Sequence, residues 1–285
     1  MNEKLLKLSM LIPSDIRLIF SLIFFIIILN SIFAQSTRDT LKHDHKKLAE
    51  QVNNPTSPLA QFQLRDVLSG RVPGYDGNAN LFQLVPTLPV PSSEIFNFDQ
   101  IIKITFQLPT SPNPGSETGF GDITLFDLFS IEESWGRWGA GLTFVFPTAS
   151  SEILGQGKWQ TGPAAAVMFT GIQNLIMGAV FQNQISFAGN SSREDVNTLF
   201  ITPTITWNFP DGWFAGYSDF DWTFNWRNDG EATIPLGLQG GKVISLGSTP
   251  VSLSIEACWV AVHPDNFPEW LLGFECVLIF PSFIK

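Results

Sequence analysis

The sequence predicts an all-β protein: a transmembrane antiparallel up-and-down β-barrel of about twelve strands, preceded by an N-terminal signal peptide. Three observations predict it. The first is alternation between Asn197 and Trp226, because a period of two means strand. Leu199, Ile201, Ile205, Trp207 and Phe209 fall on one face, and Thr198, Thr202, Thr204, Thr206 and Asn208 on the other. After a Pro210-Asp211-Gly212 turn, Phe214, Phe220, Trp222, Phe224 and Trp226 face one way. Tyr217, Asp219, Asp221, Thr223 and Asn225 face the other. The second observation is length: each run has about eleven to thirteen residues, as a tilted strand needs to cross a bilayer. The third is composition. Hydrophobic residues make up 44% and charged residues only 15%, yet beyond the N-terminus no apolar run is long enough for a membrane helix. Alternation dilutes hydrophobicity in this way, with lipid outside and water inside.

The elements follow in order. Lys4, Lys7 and Arg17 precede a mostly apolar run from Leu18 to about Leu29, and Asn30, Ser31 and Ala34 follow. This is the layout of a secretory signal, residues 1–34, cut after Ala34; an uncleaved anchor helix over Leu18–Ala34 is the other reading. Residues 35–57 are polar and form a periplasmic lead-in. Within it Thr40–Val52 is suited to a short helix stopped by Asn53-Asn54-Pro55; the alternative is a plug inside the barrel. The barrel occupies 58–285, with strands near 59–66, 79–88, 98–109, 119–130, 135–147, 159–170, 175–188, 197–209, 213–226, 231–246, 250–262 and 269–281. Pro86 and Pro89 interrupt the second strand, so distortion is expected there.

Linkers support the count. Val67–Asn78, Thr110–Thr118, Thr148–Gly157 and Gly189–Val196 are long or polar. Those at Glu132–Ser134, Gly171–Asn174, Pro210–Gly212 and Gly247–Thr249 are tight, while Pro89–Asn97 and Arg227–Gly230 depart from the rule. Long loops at one end and short turns at the other mark an outer-membrane barrel, and an even strand number puts both termini in the periplasm. Trp135, Trp207 and Trp213 fall at predicted periplasmic ends, and Trp159, Trp226 and Trp270 at outer ends, as two aromatic girdles. Cys258 and Cys276 flank a hairpin at His263–Glu269, where a cross-strand disulfide is conceivable in an oxidising compartment. The alternation instead puts Cys258 in the lumen and Cys276 toward lipid, out of bonding reach unless a bulge changes the phase.

Extending the phase gathers the charges on one face. That face carries Lys103, Thr105, Gln107, Asp122, Thr124, Arg137, Thr143, Gln182, Gln184, Ser186, Asp219, Asp221, Asn225, Glu256 and Glu275. A basic residue on a lipid face at mid-bilayer costs about 2–4 kcal/mol, so this face is the lumen. Two readings compete. The groups line a polar path selecting a small solute, with Lys103, Asp122, Arg137, Gln182, Gln184, Asp219, Asp221, Glu256 and Glu275 as its residues. Alternatively Arg137 and Lys103 pair with Asp and Glu across the barrel and fill it. The net charge of −10 speaks against nucleic acid as a partner. No nucleotide, thiol or esterase motif is present, no cofactor is implied, and His43-x-His45 reads as solvated rather than as a metal site.

Short motifs in a fixed order carry a resemblance. They are Asn54-Pro55 with Pro58-Leu59, Gly119-Phe120-Gly121-Asp122, Gly155-Gln156-Gly157-Lys158-Trp159 with Gly162-Pro163, and Gln182-Asn183 with Ser186 and Ala188-Gly189. Asp195-Val196-Asn197 with Pro203, and Pro250-Val251-Ser252-Leu253, complete the set. From about Ala49 to Pro281 the chain resembles an outer-membrane β-barrel transporter family, also described as meta-pathway phenol-degradation-like and sometimes misnamed neuromedin U. The resemblance implies a barrel porin or transporter, while export together with a membrane barrel implies the outer membrane of a Gram-negative-type bacterium, with outer-membrane lipids and the barrel-assembly machinery as expected partners. It implies passive transport of small molecules, among them hydrophobic or aromatic compounds. Family members end near the aromatic of the last strand, whereas here Pro-Ser-Phe-Ile-Lys follows Phe280. The competing functions are an outer-membrane lipid hydrolase with His263 as base, for which no Ser partner is identifiable, and a non-conducting structural or surface-binding barrel.

Overall fold

The computed structural model describes residues 45–74, 77–92, 98–112 and 116–281. The expected signal peptide, 1–34, lies outside them, as does His43. Helix α1 (His45–Val52) is followed by β1 (Gln61–Arg71), β2 (Asn78–Val90), β3 (Asp99–Ser111), β4 (Ile123–Glu133), β5 (Gly136–Phe146) and β6 (Lys158–Phe169). Next come β7 (Leu175–Gly189), β8 (Asn197–Asn208) and β9, which is in two pieces, Trp213–Tyr217 and Trp222–Asn225. The last strands are β10 (Glu231–Leu246), β11 (Thr249–Val262) and β12 (Trp270–Ile279), and a two-residue bridge, Glu117–Thr118, pairs with the end of β3. Each strand pairs antiparallel with its sequence neighbours, and β12 pairs with β1 from Gln61↔Ile279 to Ser69↔Leu271. This closes a twelve-stranded barrel. The turn after β10 has Gly247 at φ +63°.

Side chains alternate as the pattern requires. In β6 Lys158, Gln160, Gly162, Ala164, Ala166 and Met168 point inward and are buried, while Trp159 and Val167 point outward. All six girdle tryptophans, Trp135, Trp207, Trp213, Trp159, Trp226 and Trp270, are exposed on the outward face at strand ends. Pro86 and Pro89 are accommodated within β2, and its register with β3 omits Val85 and Pro86. Both cysteines are free thiols; Cys258 is opposite Leu271 and Cys276 opposite Leu253, on opposite faces of the wall.

β9 departs from the expected phase. From Gly216↔Thr206 to Trp222↔Ile201, β9 advances six residues while β8 advances five. From Tyr217↔Leu238 to Thr223↔Thr233 it again advances six while β10 advances five. One extra residue is therefore present relative to both neighbours, and a one-residue bulge reverses which side chains face inward. Phe214, expected on the outward face, pairs with inward Asn208 and is 3% exposed inside the barrel. Phe220, also expected outward, lies under Arg65 in the interior, and Tyr217, expected inward, faces out beside Trp222. Beyond the bulge Trp222, Phe224 and Trp226 face out, and Thr223 and Asn225 in, as the sequence indicates.

The lead-in sits inside the barrel mouth rather than outside it. Leu48 and Ala49, on one face of α1, pack with Leu59 against inward-facing Phe214, Val243, Val277 and Ile279. An (i, i+4) Lys46–Glu50 pair lies on the exposed side of the helix at 3.9 Å. The helix stops at an Asx turn, where Asn54 Oδ1 accepts from the Thr56 N–H and hydroxyl. A second apolar cluster of Phe126, Leu128, Ala164, Ala166, Met168, Ile176 and Val180 coats the inner wall of β4, β6 and β7.

Candidate functional site

Above α1 the interior turns polar. Inward positions of β1 (Gln61, Gln63, Arg65), β3 (Lys103, Thr105), β7 (Gln182, Gln184) and β8 (Thr202, Thr204) meet the bulge of β9 and Glu275 of β12. Two cavities of about 420 and 250 Å³ lie here. They share Gln83, Lys103, Thr105, Gln182, Thr202 and Asp221, and so form one chamber. Its floor is Val52, Asn53 and Pro55 from the end of the helix and the turn after it. Toward the long loops the chamber meets a further cavity of about 420 Å³ at Gln156, which lines both.

The charges are arranged unevenly. Arg65 donates from Nε to Glu256 Oε1 at 2.9 Å and again from Nη2, and its guanidinium sits 4.8 Å from the centre of the Phe220 ring. The other Glu256 oxygen accepts the backbone N–H of Asp219 at 3.0 Å and so holds the bulge. Asp219 accepts from Gln239 at 3.1 Å, Glu275 from Gln63 at 2.6 Å, and Asp221 from the Thr202 hydroxyl. None of these three carboxylates has a cation within ion-pair distance among the described residues. Lys103 likewise has no carboxylate within 4 Å, and its ammonium lies 6.0 Å from the Phe126 ring centre. Asp219, Asp221, Glu275 and Lys103 are thus ionisable groups of the chamber held by hydrogen bonds or a ring contact rather than by ion pairs.

The residues expected along the path separate into three groups. Lys103, Gln182, Gln184, Asp219, Asp221 and Glu275 line the chamber. Asp122 stands at its rim, where it accepts from the N–H groups of Ala149 and Gln156 at 3.1 and 2.8 Å and so ties down the loop after β5. A Cβ at Gly155 would come 2.6 Å from its Oδ1, so this loop needs glycine there. Glu256 faces inward but is occupied by Arg65. Arg137 is not in the chamber: as the second residue of β5 it lies at the short-turn end. There it pairs with Asp99 and Glu132 at 2.8 Å and donates to the Thr56 carbonyl at 3.1 Å. Of the two cations expected to pair with Asp and Glu, Arg137 therefore does so, at the short-turn end, and Lys103 has no such partner among the described residues. Arg137 instead ties the tail of the lead-in to the wall beside a cavity of about 490 Å³ lined by Glu50, Asn54 and Asn174.

Arg65, Gln63 and Gln83 were missed from the sequence, although Gln61, Gln63 and Arg65 alternate with Phe62 and Leu64 over one short stretch. At the long-loop end Asp195 bridges Lys158 at 3.0 Å and Arg227 at 3.4 Å. The hydrogen bond and charge of Lys158 hold the Asp195 carboxyl below its ordinary range. Arg193 crosses to the Glu152 and Gly155 carbonyls at 2.8 and 2.7 Å, joining two loops. His263 Nδ1 meets the Pro264 carbonyl at 2.8 Å, with no serine hydroxyl in hydrogen-bonding reach among the described residues. No group of three or more potential metal ligands occurs among them.

Comparison with known proteins gives the fold its class. No family model matches the chain, and no curated protein matches it. Among solved structures it is similar to the COG4313 outer membrane channel from Pseudomonas putida F1. The two share a TM-score of 0.56 and 12% identity, over 78% of this chain and 96% of that one. A complex of Salmonella typhi OmpF with daunomycin aligns over the same shares at a TM-score of 0.32 and 7% identity. The first likeness identifies the architecture as a twelve-stranded barrel of the kind that channel has.

Proposed function

We propose that this protein is an outer-membrane channel through which small molecules move passively. The observation that carries the reading is the polar chamber, adjoined toward the long loops by a further cavity at Gln156 and enclosed by a wall whose outer face is apolar and ends in tryptophans. Such a wall suits lipid, with the short turns and α1 in the periplasm and the long loops outside. The solute path runs past Gln182, Gln184, Lys103, Asp219, Asp221 and Glu275, with Asp122 shaping its entrance. Phe126 and Phe200 add aromatic surface to the chamber, which supports ring-bearing solutes beside small polar ones. The fold shared with a solved outer membrane channel supports the same reading. Surrounding outer-membrane lipids and the barrel-assembly machinery are the partners such a barrel requires. The test is reconstitution of the refolded protein in planar bilayers and in liposomes. Discrete conductance steps and liposome swelling in arabinose or benzylamine are expected. Absence of both current and flux from a correctly folded barrel refutes the channel.

A further inference from the structure

A barrel wall in hydrocarbon closes itself with ladder hydrogen bonds, because no water is present to satisfy a freed backbone group. β9 interrupts that closure halfway along its length, between its end tryptophans Trp213 and Trp226. Residues 202–205 of β8 and 234–237 of β10 have no paired residue on β9, although all are described. A hydrogen bond from the Ser218 N–H to the Gly237 carbonyl, at 3.1 Å, enters the gap. Each facing stretch carries a proline at this level, Pro203 and Pro235, which has no N–H to leave unsatisfied.

Side chains replace the missing ladder. The Tyr217 hydroxyl donates to the Pro235 carbonyl, and Trp222 Nε1 lies 3.2 Å from that carbonyl and 3.0 Å from the Tyr217 oxygen. The two rings meet edge to face at 6.4 Å on the outward face. On the inner side of the same gap Thr202, Thr204, Asp219 and Asp221 line the chamber. The chamber is thus separated from the membrane by an aromatic latch and four inward-turned residues, 218–221. Its floor, in contrast, is a helix seated in an apolar cluster and tied by Arg137 to the wall.

We propose that the break in β9 is a lateral hatch. A ring-bearing, apolar or amphipathic solute entering the chamber from the loop end leaves it between β8 and β10 into the bilayer, when Tyr217 and Trp222 swing away from Pro235. The solute class follows from the destination: hydrocarbon accepts apolar surface and rejects unpaired polar groups. The proposal rests on the channel reading for its entrance.

The experiment uses cells carrying the full chain in a lipopolysaccharide-covered outer membrane and N-phenyl-1-naphthylamine, which fluoresces on reaching lipid. Wild-type cells are expected to take up the probe at least about fivefold faster than cells lacking the protein. Deleting Phe220 restores one-to-one residue counts with β8 and β10 and is expected to return uptake to the background rate. The double variant Tyr217→Phe with Trp222→Phe removes the latch hydrogen bonds and is expected to speed uptake about threefold. Wild-type uptake at background from a barrel that conducts ions in planar bilayers overturns the hatch and leaves the channel standing. Absence of conductance refutes the channel instead. Full uptake by a folded Phe220 deletion also overturns the hatch. Should that deletion fail to give a heat-modifiable barrel, the double variant decides, and unchanged uptake there is fatal to the proposal.

Discussion

At the scale of single residues, the chamber sets Lys103 against Asp219, Asp221 and Glu275, while Arg65 and Glu256 cancel each other. This level thus sets three carboxyl groups against one amine. At about 15 Å and an effective permittivity of about 20, one unit charge changes an ion's energy by about 1 kcal/mol, or about fivefold in permeability. Reversal potentials in a potassium chloride gradient should show a cation-preferring channel. Lys103→Gln should raise the preference by about that factor, and Asp219→Asn with Asp221→Asn should lower it. Equal potentials in all three proteins would show that ions do not pass the chamber. Arg65 gives a second expectation. Its guanidinium and the Glu256 carboxylate are both largely buried, at 15% and 7% side-chain exposure. Removing one partner of such a pair costs about 3–5 kcal/mol, while replacing both costs far less. Arg65→Met should thus lower the urea midpoint of the folded barrel, and adding Glu256→Gln should restore most of it. A double variant as unstable as the single one would place the stabilisation in packing on Phe220 instead.

At the scale of elements, β9 and α1 are where sequence reasoning reached its limit, for different reasons. In β9 Trp213 and Phe214 are adjacent and both aromatic, so the start of the strand fits either phase. The phase requiring no break makes Phe214 face outward; the fold uses the other and inserts a residue between Tyr217 and Trp222. Alternation alone cannot choose, because the partners that fix the register lie on β8 and β10. In α1 the apolar residues Leu48, Ala49 and Val52 are visible as one helical face, but eight residues are too few for a stable isolated helix. Its order comes from Phe214, Val243, Val277 and Ile279, which are distant in sequence. The same dependence yields a prediction. Truncating a buried leucine costs about 2–5 kcal/mol, and a carboxylate in its place adds a desolvation penalty. Leu48→Asp should therefore release α1 from the mouth and raise single-channel conductance about twofold or more. Unchanged conductance would mean that current does not run past the helix.

At the scale of the whole molecule, the barrel was legible because its physics repeats. Each strand has one lipid-suited and one water-suited face, so twelve weak alternations reinforce one another and the boundaries fall within a few residues of those expected. The inward positions of Lys103, Gln182, Gln184 and Glu275 follow from that repetition. Arg137 shows what repetition leaves out: its inward phase was legible, but its height was not, and height decides whether it meets the chamber or the lead-in. Closure is likewise a property of no single strand. β12 is held by β11 on one side and by β1 on the other, and the Phe280 N–H adds a bond of 2.9 Å to the Ala60 carbonyl at the seam. Removing residues 270–280 would leave β1 and β11 with open edges along the membrane, where each unsatisfied backbone group costs several kcal/mol. No reorganisation of eleven strands restores an even up-and-down closure with both ends on one side. The truncated chain should therefore lose the heat-modifiable band in unboiled gels completely, together with protease resistance. A compact, heat-modifiable truncated form would show that β1 and β11 can pair directly, and that the seam is a convenience of this fold rather than its requirement.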